Sequence, residues 1–438
     1  MNDPTPTRRG FLGLMAATGA SVSLTAACGT GGPGSSGGGS KTEQVWTLTD
    51  PVMNPIQNKA ISAFNKTSKT QLNLVTAPNA SYTQKLRVAM GSPNAPSLLF
   101  NWGLASIAPY AQAGQLVDLT PKLDADPSWK GSFLSSVLDD GQINGKYYGI
   151  PLRGMQPVVL FYNKTMFAQH GAQPPKTFGD LLSLVDLFKG KGITPIVLGG
   201  ADQFPELMYL ELLTDRIAGP APYQGLLKDP VGGWANPAFA QALSMCQELV
   251  ARGAFGPNYN TTSWNNGTAT TILTSGKAAM ELMGSWEYTN ALGINPGFTR
   301  SSLGFTPFPV IQGGQGNPNA LAGNPTNYFS VYARSPDPSA AIDFLKQEMT
   351  SSSYVDALIK AGDVPAVAGI GSKLSSSGPA PAFAQWVYSA VQNAPSFALS
   401  WDQALPDSTK TPMLNNLQKV FLRQMTPAQF TSAMQKVQ

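Results

Sequence analysis

The chain has 438 residues, a formal net charge of +4, one histidine and two cysteines; 42% of its residues are hydrophobic and only 12% are charged. This composition excludes a disordered chain and gives no electrostatic case for nucleic-acid binding. The length allows two to three average domains or one large two-lobed unit.

The first 27 residues are typical of an export signal rather than of a folded domain. Arg8 and Arg9, within TRRGFL, resemble a twin-arginine signal and precede an apolar, alanine-rich segment. The sequence LTAAC, ending at Cys28, resembles a bacterial lipoprotein cleavage box. The segment is short for a membrane span of about 20 residues, so export and lipidation of Cys28 are predicted rather than a transmembrane anchor. The Gly/Ser-rich residues 29–41 would then tether the folded part to the outer face of the cell membrane.

Strands and helices alternate at the start of the folded chain. Strands are predicted at 45–49, 72–75 and 98–100, with amphipathic helices between them at 56–67 and 81–91. This alternation predicts an α/β sheet with parallel neighbours, in which ligands bind beyond the carboxyl ends of the strands. Asp50 follows the first strand, and Asn101 and Trp102 follow the third, so these three residues are candidate ligand contacts.

Strands and helices continue to alternate along the rest of the chain. GQINGKYYGI (141–150) predicts a hairpin that turns at Asn144 and Gly145, and we expect the chain to cross to a second lobe near 151–156. The Gly-, Asn- and Pro-rich residues 312–327 predict a long loop. Further strands are predicted at 158–162, 193–198, 303–309 and 328–332, and helices at about 177–190, 205–217, 236–252, 339–349, 381–393 and 412–437.

Residues 276–292, GKAAMELMGSWEYTNAL, are central to the functional interpretation. The apolar run 278–283 predicts a helix that ends at Gly284, after which the chain presents Trp286 and Glu287. An indole packs on the C–H face of a sugar ring, and a carboxylate accepts hydrogen bonds from sugar hydroxyls. The pair therefore suits a binding cleft; the alternative is that Trp286 fills a helix–helix junction in the core and that Glu287 is a solvated surface acid.

Two other loops carry tryptophan beside polar residues. Trp401 and Asp402, within SWDQA, form a second cluster of indole, acid and amide in a predicted loop, and Trp264 lies in TTSWNNGT. Each indole is a candidate ligand contact or a core residue, since tryptophan is usually heavily buried. Asp402 is a candidate ligand acceptor or a surface acid.

Three further residues have two open interpretations. Arg153, at the predicted crossing, either reaches the cleft or pairs with a carboxylate. Asn324 and Asn327 precede the strand at 328–332 and either donate to ligand hydroxyls or form ordinary turns. Cys246 occupies an apolar helical position and is predicted to be buried.

Catalysis is the rival class of function. A secreted glycoside hydrolase also has aromatic subsites and needs two carboxylates across the scissile bond. Glu206, Glu287 and Asp402 are candidates, but no sequence pattern singles out a pair. Neither a nucleophile elbow, a P-loop nor a His/Cys metal cluster occurs in the sequence, so no catalytic residue, metal or cofactor is predicted.

Several motifs, in this order, resemble those of extracellular solute-binding proteins of ABC sugar importers, the group that includes maltose-binding protein. They are SPNAP at 92–96, YAQAGQL at 110–116, NGKYYGIP at 144–151, FYNK at 161–164, SGKAAMELMGSW at 275–286, and SPD at 335–337 followed by AAIDFL at 340–345. The resemblance covers nearly the whole chain after the export signal.

The resemblance implies a two-lobed α/β fold that closes on its ligand by hinge motion and docks on the permease subunits of an ABC importer. Lobe 1 would comprise 42–152 and 308–356, and lobe 2 would comprise 153–307 and 357–438. By position, the resemblance assigns cleft contacts to Trp102, Trp286, Trp401, Phe204, Glu206 and Asp50.

A neutral oligosaccharide fits these candidate residues best, because phosphate binding would require clustered arginines or a free helix N-terminus. The several aromatic side chains predict a ligand of two or more rings. Xylo- or cello-oligosaccharides are the first expectation and α-glucosides the second, with peptides and polyol phosphates as alternatives. We expect the protein to act as a monomer.

Overall fold

Two β-sheets organise the molecule. The structure is a computed structural model that describes residues 42–103 and 106–437, so the predicted export signal, Cys28 and the tether lie outside the described residues. The strands are β1 (Thr42–Leu48), β2 (Gln71–Ala77), β3 (Leu98–Asn101), β4 (Gln142–Ile143), β5 (Lys146–Tyr147), β6 (Ile150–Pro151), β7 (Gln156–Asn163), β8 (Thr194–Val197), β9 (Ala278–Gly284), β10 (Leu303–Thr306), β11 (Leu321–Asn324), β12 (Tyr328–Val331) and β13 (Phe397–Leu399).

Helices fill most of the chain between the strands. They are α1 (Met53–Asn65), α2 (Asn79–Met90), α3 (Ala108–Gln112), α4 (Thr120–Ala125), α5 (Pro127–Lys130), α6 (Ser135–Leu138), α7 (Lys164–Gln169), α8 (Phe178–Gly190), α9 (Phe204–Ala218), α10 (Ala221–Lys228), α11 (Pro237–Arg252), α12 (Thr268–Thr274), α13 (Trp286–Ile294), α14 (Pro296–Ser301), α15 (Pro338–Glu348), α16 (Ser352–Ala361), α17 (Gly371–Ser376), α18 (Pro381–Asn393), α19 (Trp401–Ala404), α20 (Asp407–Phe421) and α21 (Pro427–Met434). Among the described residues, no helix has both the length and the apolar character that a membrane crossing requires.

The first sheet has the strand order β2-β1-β3-β12-β6. Strand β1 is parallel to β2 and β3, so the carboxyl ends of these three strands share one edge. Strand β12 is antiparallel to both β3 and β6, with Tyr328 opposite Asn101 and Pro151. The chain therefore leaves this sheet at Pro151 and returns at Tyr328 along that same edge.

The second sheet has the order β13-β11-β7-β9-β8, and β10 also pairs with β7. Strand β8 is parallel to β9, and β13 is parallel to β11. Strand β7 is antiparallel to β9 and β11, with Val158 opposite Gly284 and Gln156 opposite Asn324. The carboxyl ends of β8, β9, β11 and β13 thus share one edge, at which β7 begins.

Two crossovers, residues 152–155 and 325–327, join these two edges. They run side by side, because the Leu152 amide donates to the Asn327 carbonyl over 2.9 Å. A third segment lies against the first crossover, since the Met155 amide donates over 2.9 Å to the carbonyl of Val364. The first crossover falls within the range in which a lobe crossing is predicted.

Each sheet has its own hydrophobic core. One cluster of buried side chains surrounds the first sheet and a larger one surrounds the second. Helix α16 belongs to both, since Tyr354 and Leu358 pack in the first core while Val355 and Ile359 pack in the second. This helix therefore couples the two halves mechanically next to the crossovers.

The structure corrects the sequence prediction at three places. Residues 278–283 form strand β9 and not a helix: all seven residues of β9 are buried, so the apolar run has no alternation to mark it as a strand. The predicted long loop 312–327 contains β11. Because β11 pairs with β7 and β13, residues 321–324 lie with the second sheet and not in lobe 1, where the predicted ranges place them. The other lobe boundaries stay a prediction.

Two local predictions are confirmed. Strands β4 and β5 pair across Asn144 and Gly145, which have φ of 52° and 75°, as a tight hairpin turn of this dipeptide requires. Cys246 is fully buried in the second core.

Candidate functional site

The joined edges of the two sheets carry most of the predicted site residues. Asp50 follows β1 and Trp102 follows β3, whereas Phe204 lies beyond β8 and Trp286 directly follows β9 and Ser285. The two crossovers connect these edges, so the strand-end loops of both sheets lie at the ends of the crossovers. Ligands of α/β sheets bind at such strand ends.

Three half-buried aromatic side chains lie together on the second sheet's side. The ring centroids of Trp264 and Trp286 are 6.2 Å apart, and those of Phe204 and Trp264 are 5.8 Å apart, with nearly perpendicular planes in the second pair. We call these three residues the aromatic platform. Each of the three residues is only half-buried, and aromatic side chains of this kind pack on sugar rings.

Glycines leave room for two rings of the platform. A Cβ added at Gly284 would lie 2.1 Å from Cζ3 of Trp286, and one added at Gly199 would lie 2.8 Å from Cβ of Trp264. A side chain at Gly284 would displace the indole of Trp286, and one at Gly199 would displace the backbone and Cβ of Trp264. The position of the platform therefore depends on glycine at positions 199 and 284, where a side chain would collide with it.

Replacing Gly284 with alanine is expected to displace Trp286 and to lower the free energy of unfolding by about 1–3 kcal/mol, the usual effect of overpacking. A urea midpoint and the tryptophan emission maximum measure the two effects. Gly293→Ala is the control, because Gly293 lies in α13, the helix that Trp286 begins, and a Cβ there meets nothing within 4 Å. An unchanged emission maximum in Gly284→Ala would contradict the packing described here.

Two buried carboxyl groups lie beneath the platform. Oε2 of Glu287 accepts a hydrogen bond from Nε1 of Trp264 over 2.6 Å and one from Oγ1 of Thr270 over 3.1 Å. Glu281, in β9, is 1% exposed, and neither of its oxygens has a hydrogen-bond partner among the described residues. Burial raises the pKa of Glu287 to about 7, and burial together with the nearby Glu287 raises the pKa of Glu281 well above its usual value. The pair therefore retains at least one proton at neutral pH and orients Trp264.

On the first sheet's side, Trp102 packs edge-on against Phe100 and Tyr82, with centroid distances of 4.8 and 6.0 Å. Its neighbour Asn101 is 1% exposed. The Asn101 amide donates to Oγ of Ser330 over 2.9 Å, and its Oδ1 accepts from the Gly103 amide over 2.9 Å. Asn101 thus holds the loop that presents Trp102.

Arg153 forms ion pairs at the crossover, as the second of its two interpretations expects. Its Nη1 lies 3.2 Å from Oδ2 of Asp50, and its Nε lies 3.3 Å from Oδ2 of Asp363. Its carbonyl accepts from Thr326 over 2.8 Å. Arg153 therefore ties the β1 loop to both crossovers, and Asp50 is partly engaged in this link.

Four predicted contacts offer a ligand almost no surface in this structure. Asn101, Glu206, Glu287 and Trp401 are at most 2% exposed. Trp401 stacks on Tyr223 and packs against Trp234 and Phe239, because the short helix α19 turns it into the second core instead of leaving it in a loop. Glu287 is consequently neither a surface acid nor an exposed acceptor. Of the four, Asn101 holds the loop of Trp102 and Glu287 accepts a hydrogen bond from Trp264.

Glu206, in the first turn of α9, is one of these buried acids. Neither of its oxygens has a hydrogen-bond partner within the described part of the chain, and burial raises its pKa to about 8. It is therefore protonated at neutral pH, which suits a carboxyl group with no cationic partner.

Asp402 and Asn324 are half-buried at or near the joined edges, whereas Asn327 is buried. Asp402 accepts from Gln403 over 3.1 Å, and burial raises its pKa. Asn324 ends β11, and its Oδ1 has no hydrogen-bond partner among the described residues; the same holds for Nδ2 of Asn327 in the second crossover. Both of these atoms are buried and unpaired, and Asn327 is only 3% exposed.

Glu281 and Asp363 are absent from the sequence prediction. Glu281 had a usable signal, because it is the only charged residue in the apolar run AAMELMG. Asp363 had none, since its pairing with Arg153 joins residues that are 210 positions apart. Among the described residues, no group of His, Cys, Asp and Glu has an arrangement that could hold a metal ion.

Comparisons with known proteins agree with this architecture. The model of a family described as bacterial extracellular solute-binding protein matches residues 46–353. The chain is 24% identical over 356 residues to the galactooligosaccharide-binding protein of Bacillus subtilis, covering 80% of this chain and 79% of the relative. It is 26% identical over 203 residues to a probable sugar-binding periplasmic protein of Mesorhizobium japonicum, covering 46% of each. The chain thus spans about half the length of several curated relatives that it matches.

Solved structures share the fold over nine-tenths of the chain. One, from work on xylan utilization by Caldanaerobius polysaccharolyticus, has a TM-score of 0.81 and 26% identity and covers 90% of this chain and 99% of that one. A chitin oligosaccharide binding protein has a TM-score of 0.79 and 23% identity, covering 91% and 98%. These likenesses confirm the predicted two-lobed α/β fold.

Proposed function

We propose that this chain, which belongs to the bacterial extracellular solute-binding protein family, captures a neutral oligosaccharide between its two lobes. It then delivers the oligosaccharide to the permease of an ABC importer. The observation that carries this proposal is the aromatic platform of Phe204, Trp264 and Trp286. Its half-buried rings lie at the edge where the two sheets are joined. Trp102 supplies a fourth half-buried ring from the facing lobe.

The number of rings supports a ligand of two or more sugar units, because one ring covers about one sugar face. The likeness to a protein from xylan utilization supports a β-linked xylo- or cello-oligosaccharide as the first choice, and α-glucosides remain the second. The galactooligosaccharide-binding relative supports the oligosaccharide class in general. Asp50, Asp402, Asn324 and the Arg153 link would then supply polar contacts to the hydroxyls.

Binding without turnover is part of the proposal. A glycoside hydrolase must present two carboxyl groups to the scissile bond, whereas Glu206 and Glu287 are fully buried. The matching family is described as solute-binding, and the relative from Bacillus subtilis is described as an oligosaccharide-binding protein. We further propose that the protein works as a monomer at the outer face of the cell membrane, held there by a lipid on Cys28.

The test is a titration of the purified protein with xylo-, cello- and malto-oligosaccharides, followed by intrinsic tryptophan fluorescence and by calorimetry. We expect a saturable response to one linkage class and no release of reducing ends over a long incubation. Peptides and polyol phosphates serve as controls. A flat response to every sugar by both methods would refute the ligand class, and a release of reducing ends would establish a hydrolase instead.

A further inference from the structure

Trp264, in the aromatic platform, is held at both ends by carboxyl groups. Oδ2 of Asp202 accepts hydrogen bonds from the Trp264 amide over 2.6 Å and from the Asn265 amide over 2.8 Å, which fixes the backbone. Oε2 of Glu287 accepts from Nε1 of the indole over 2.6 Å, which fixes the side chain. The direction of the indole plane therefore depends on the position of the Glu287 carboxyl group.

The Glu287 carboxyl group is in turn positioned by two side chains, Thr270 and Glu281, that are each 1% exposed. Oγ1 of Thr270 donates to Oε2 over 3.1 Å. Oε1 of Glu287 and both oxygens of Glu281 are buried and have no partner while both acids are ionised, because two carboxylates have no proton to donate. A proton on Glu281 removes this deficit, since the Glu281 carboxyl group then donates a hydrogen bond to Glu287. Glu281 is thus connected to the indole of Trp264 through a single intervening side chain.

Glu281 is the acid of the pair that keeps its proton. It lies in β9 opposite Phe161 of β7 and Val197 of β8, both of which are apolar. Among the described residues, no basic side chain contributes to the pKa of Glu281 or of Glu287. Burial, and then the negative charge of Glu287, raise the pKa of Glu281 well above its usual value. At neutral pH the pair therefore consists of a donor at Glu281 and an acceptor at Glu287.

The other titratable groups around the pair are acids or phenols. Burial, and then the charges of Glu281 and Cys246, raise the pKa of Tyr209 in α9, so this phenol stays neutral. Burial likewise keeps the Cys246 thiol of α11 neutral by raising its pKa. Helix α12 carries no titratable residue, and Tyr288 of α13 packs in the second core. Glu206 of α9, with a pKa of about 8, ionises in a similar pH range, but its oxygens form no hydrogen bond to the platform.

We propose that Glu281 is a positioning residue of the platform: through its hydrogen bond to Glu287 it fixes the indole of Trp264, and it thereby sets the affinity for a sugar that it does not touch. The effect on affinity rests on the proposed oligosaccharide function, whereas the effect on the indole does not. The singly protonated pair binds best, because a carboxylate accepts a stronger hydrogen bond from the indole than a neutral carboxyl group does.

Two substitutions at Glu281 separate the hydrogen bond from the volume of the side chain. Glu281→Met keeps an unbranched chain of similar length but donates no hydrogen bond, so the affinity for the sugar should fall about tenfold. Glu281→Gln donates through its amide N–H and should keep most of the parent affinity. Calorimetry with xylotetraose, cellotetraose and maltotetraose measures both variants, after circular dichroism has established that they are folded.

The control for these substitutions is Tyr209→Phe. It changes a buried group next to Glu281 and keeps the aromatic ring that packs against Phe255 and Phe421. The Tyr209 hydroxyl has no hydrogen-bond partner in the described part of the chain, so its removal should leave the affinity unchanged.

Tryptophan emission of the ligand-free protein, followed as the pH is raised, tests the same link without a sugar. We expect a step with a midpoint near the pKa of Glu287, about 7, because ionisation of Glu287 strengthens its hydrogen bond to Trp264. Glu287→Gln and Trp264→Phe should each remove this step, while steps caused by other buried acids remain. Glu281→Met should move the midpoint to higher pH, since donation from Glu281 lowers the pKa of Glu287, and Glu281→Gln should leave the midpoint near that of the parent. The affinity for the sugar should rise over the same pH interval.

The positioning role of Glu281 is overturned if Glu281→Met binds the sugar as tightly as the parent, or if Glu281→Gln loses as much affinity as Glu281→Met. It is also overturned if the emission step survives in Glu287→Gln. If none of the three sugars binds the parent protein, the oligosaccharide function fails, and the emission titration alone decides whether Glu281 positions Trp264.

Discussion

Trp286→Ala is expected to weaken oligosaccharide binding about 30-fold or more, because removal of a central aromatic contact typically costs 2 kcal/mol or more. Trp286 follows β9 directly, packs against Trp264, and has a half-buried ring at the joined edges of the sheets. No other side chain replaces its surface, since Gly284 beneath it carries none. Fluorescence titration with the sugar class that binds the parent protein measures the loss.

The control for this substitution is Trp386→Ala. Trp386 is also half-buried and packs against Phe305 and Phe383 in the second core, but it lies on α18 and not on the joined edges. Its loss should lower stability to a similar degree and leave affinity unchanged. Far-ultraviolet circular dichroism and a urea midpoint establish that both variants are folded. Equal affinity in Trp286→Ala and the parent would remove the platform from the proposed site.

Stability is expected to fall as the pH rises from about 5 to about 8, by on the order of several kcal/mol in total. Burial raises the pKa of Glu206 and Glu211 to about 8 and that of Glu287 to about 7, from a usual value of 4.5. The folded state therefore binds more protons than the unfolded state throughout this interval. The stability that these protons contribute is fully present below the pKa of the acids in the unfolded state. It is lost as the pH rises through their pKa values in the folded state.

Acids with lowered pKa values act in a different pH range. Hydrogen bonds and nearby cations lower the pKa of Asp126, Asp180 and Asp407, so their contribution is lost only as the pH falls below the usual aspartate value. They do not offset the loss between about pH 5 and about pH 8. Maximum stability should consequently lie on the weakly acidic side of neutrality.

Urea midpoints measured at several pH values test this dependence. Glu206→Gln should reduce the slope and stabilise the protein on the alkaline side, because it removes a carboxyl group that must ionise there without a partner. Glu248→Gln, at an exposed position of α11, is the matched control and should leave the slope unchanged. A profile in which stability rises with pH would contradict the burial of these acids.

Patterns among nearby residues determined much of this fold. The alternation of strands and helices, the turn at Asn144 and Gly145 and the burial of Cys246 depend on residues close in sequence, and the structure confirms them. The order of motifs along the chain likewise predicted the family, which the family model confirms over 46–353. Asp50 and Trp102 follow predicted strands, so their position at a sheet edge was accessible from the same reasoning, whereas Trp286 was expected after a helix and only the structure places it after β9.

Contacts between distant segments decided the rest. Strand β9 resembles a helix in sequence because β7 and β8 flank it and both its faces are covered, which removes the alternation that marks an exposed strand. The indoles of Trp286 and Trp401 each follow a strand and cannot be told apart locally. One stays half-exposed above a glycine, and the other is enclosed by Tyr223, Trp234 and Phe239. The ion pairs of Arg153 and the hydrogen bonds of Glu211 to Ser400 and Trp401 join segments far apart in sequence, so only the assembled fold shows which polar groups are satisfied.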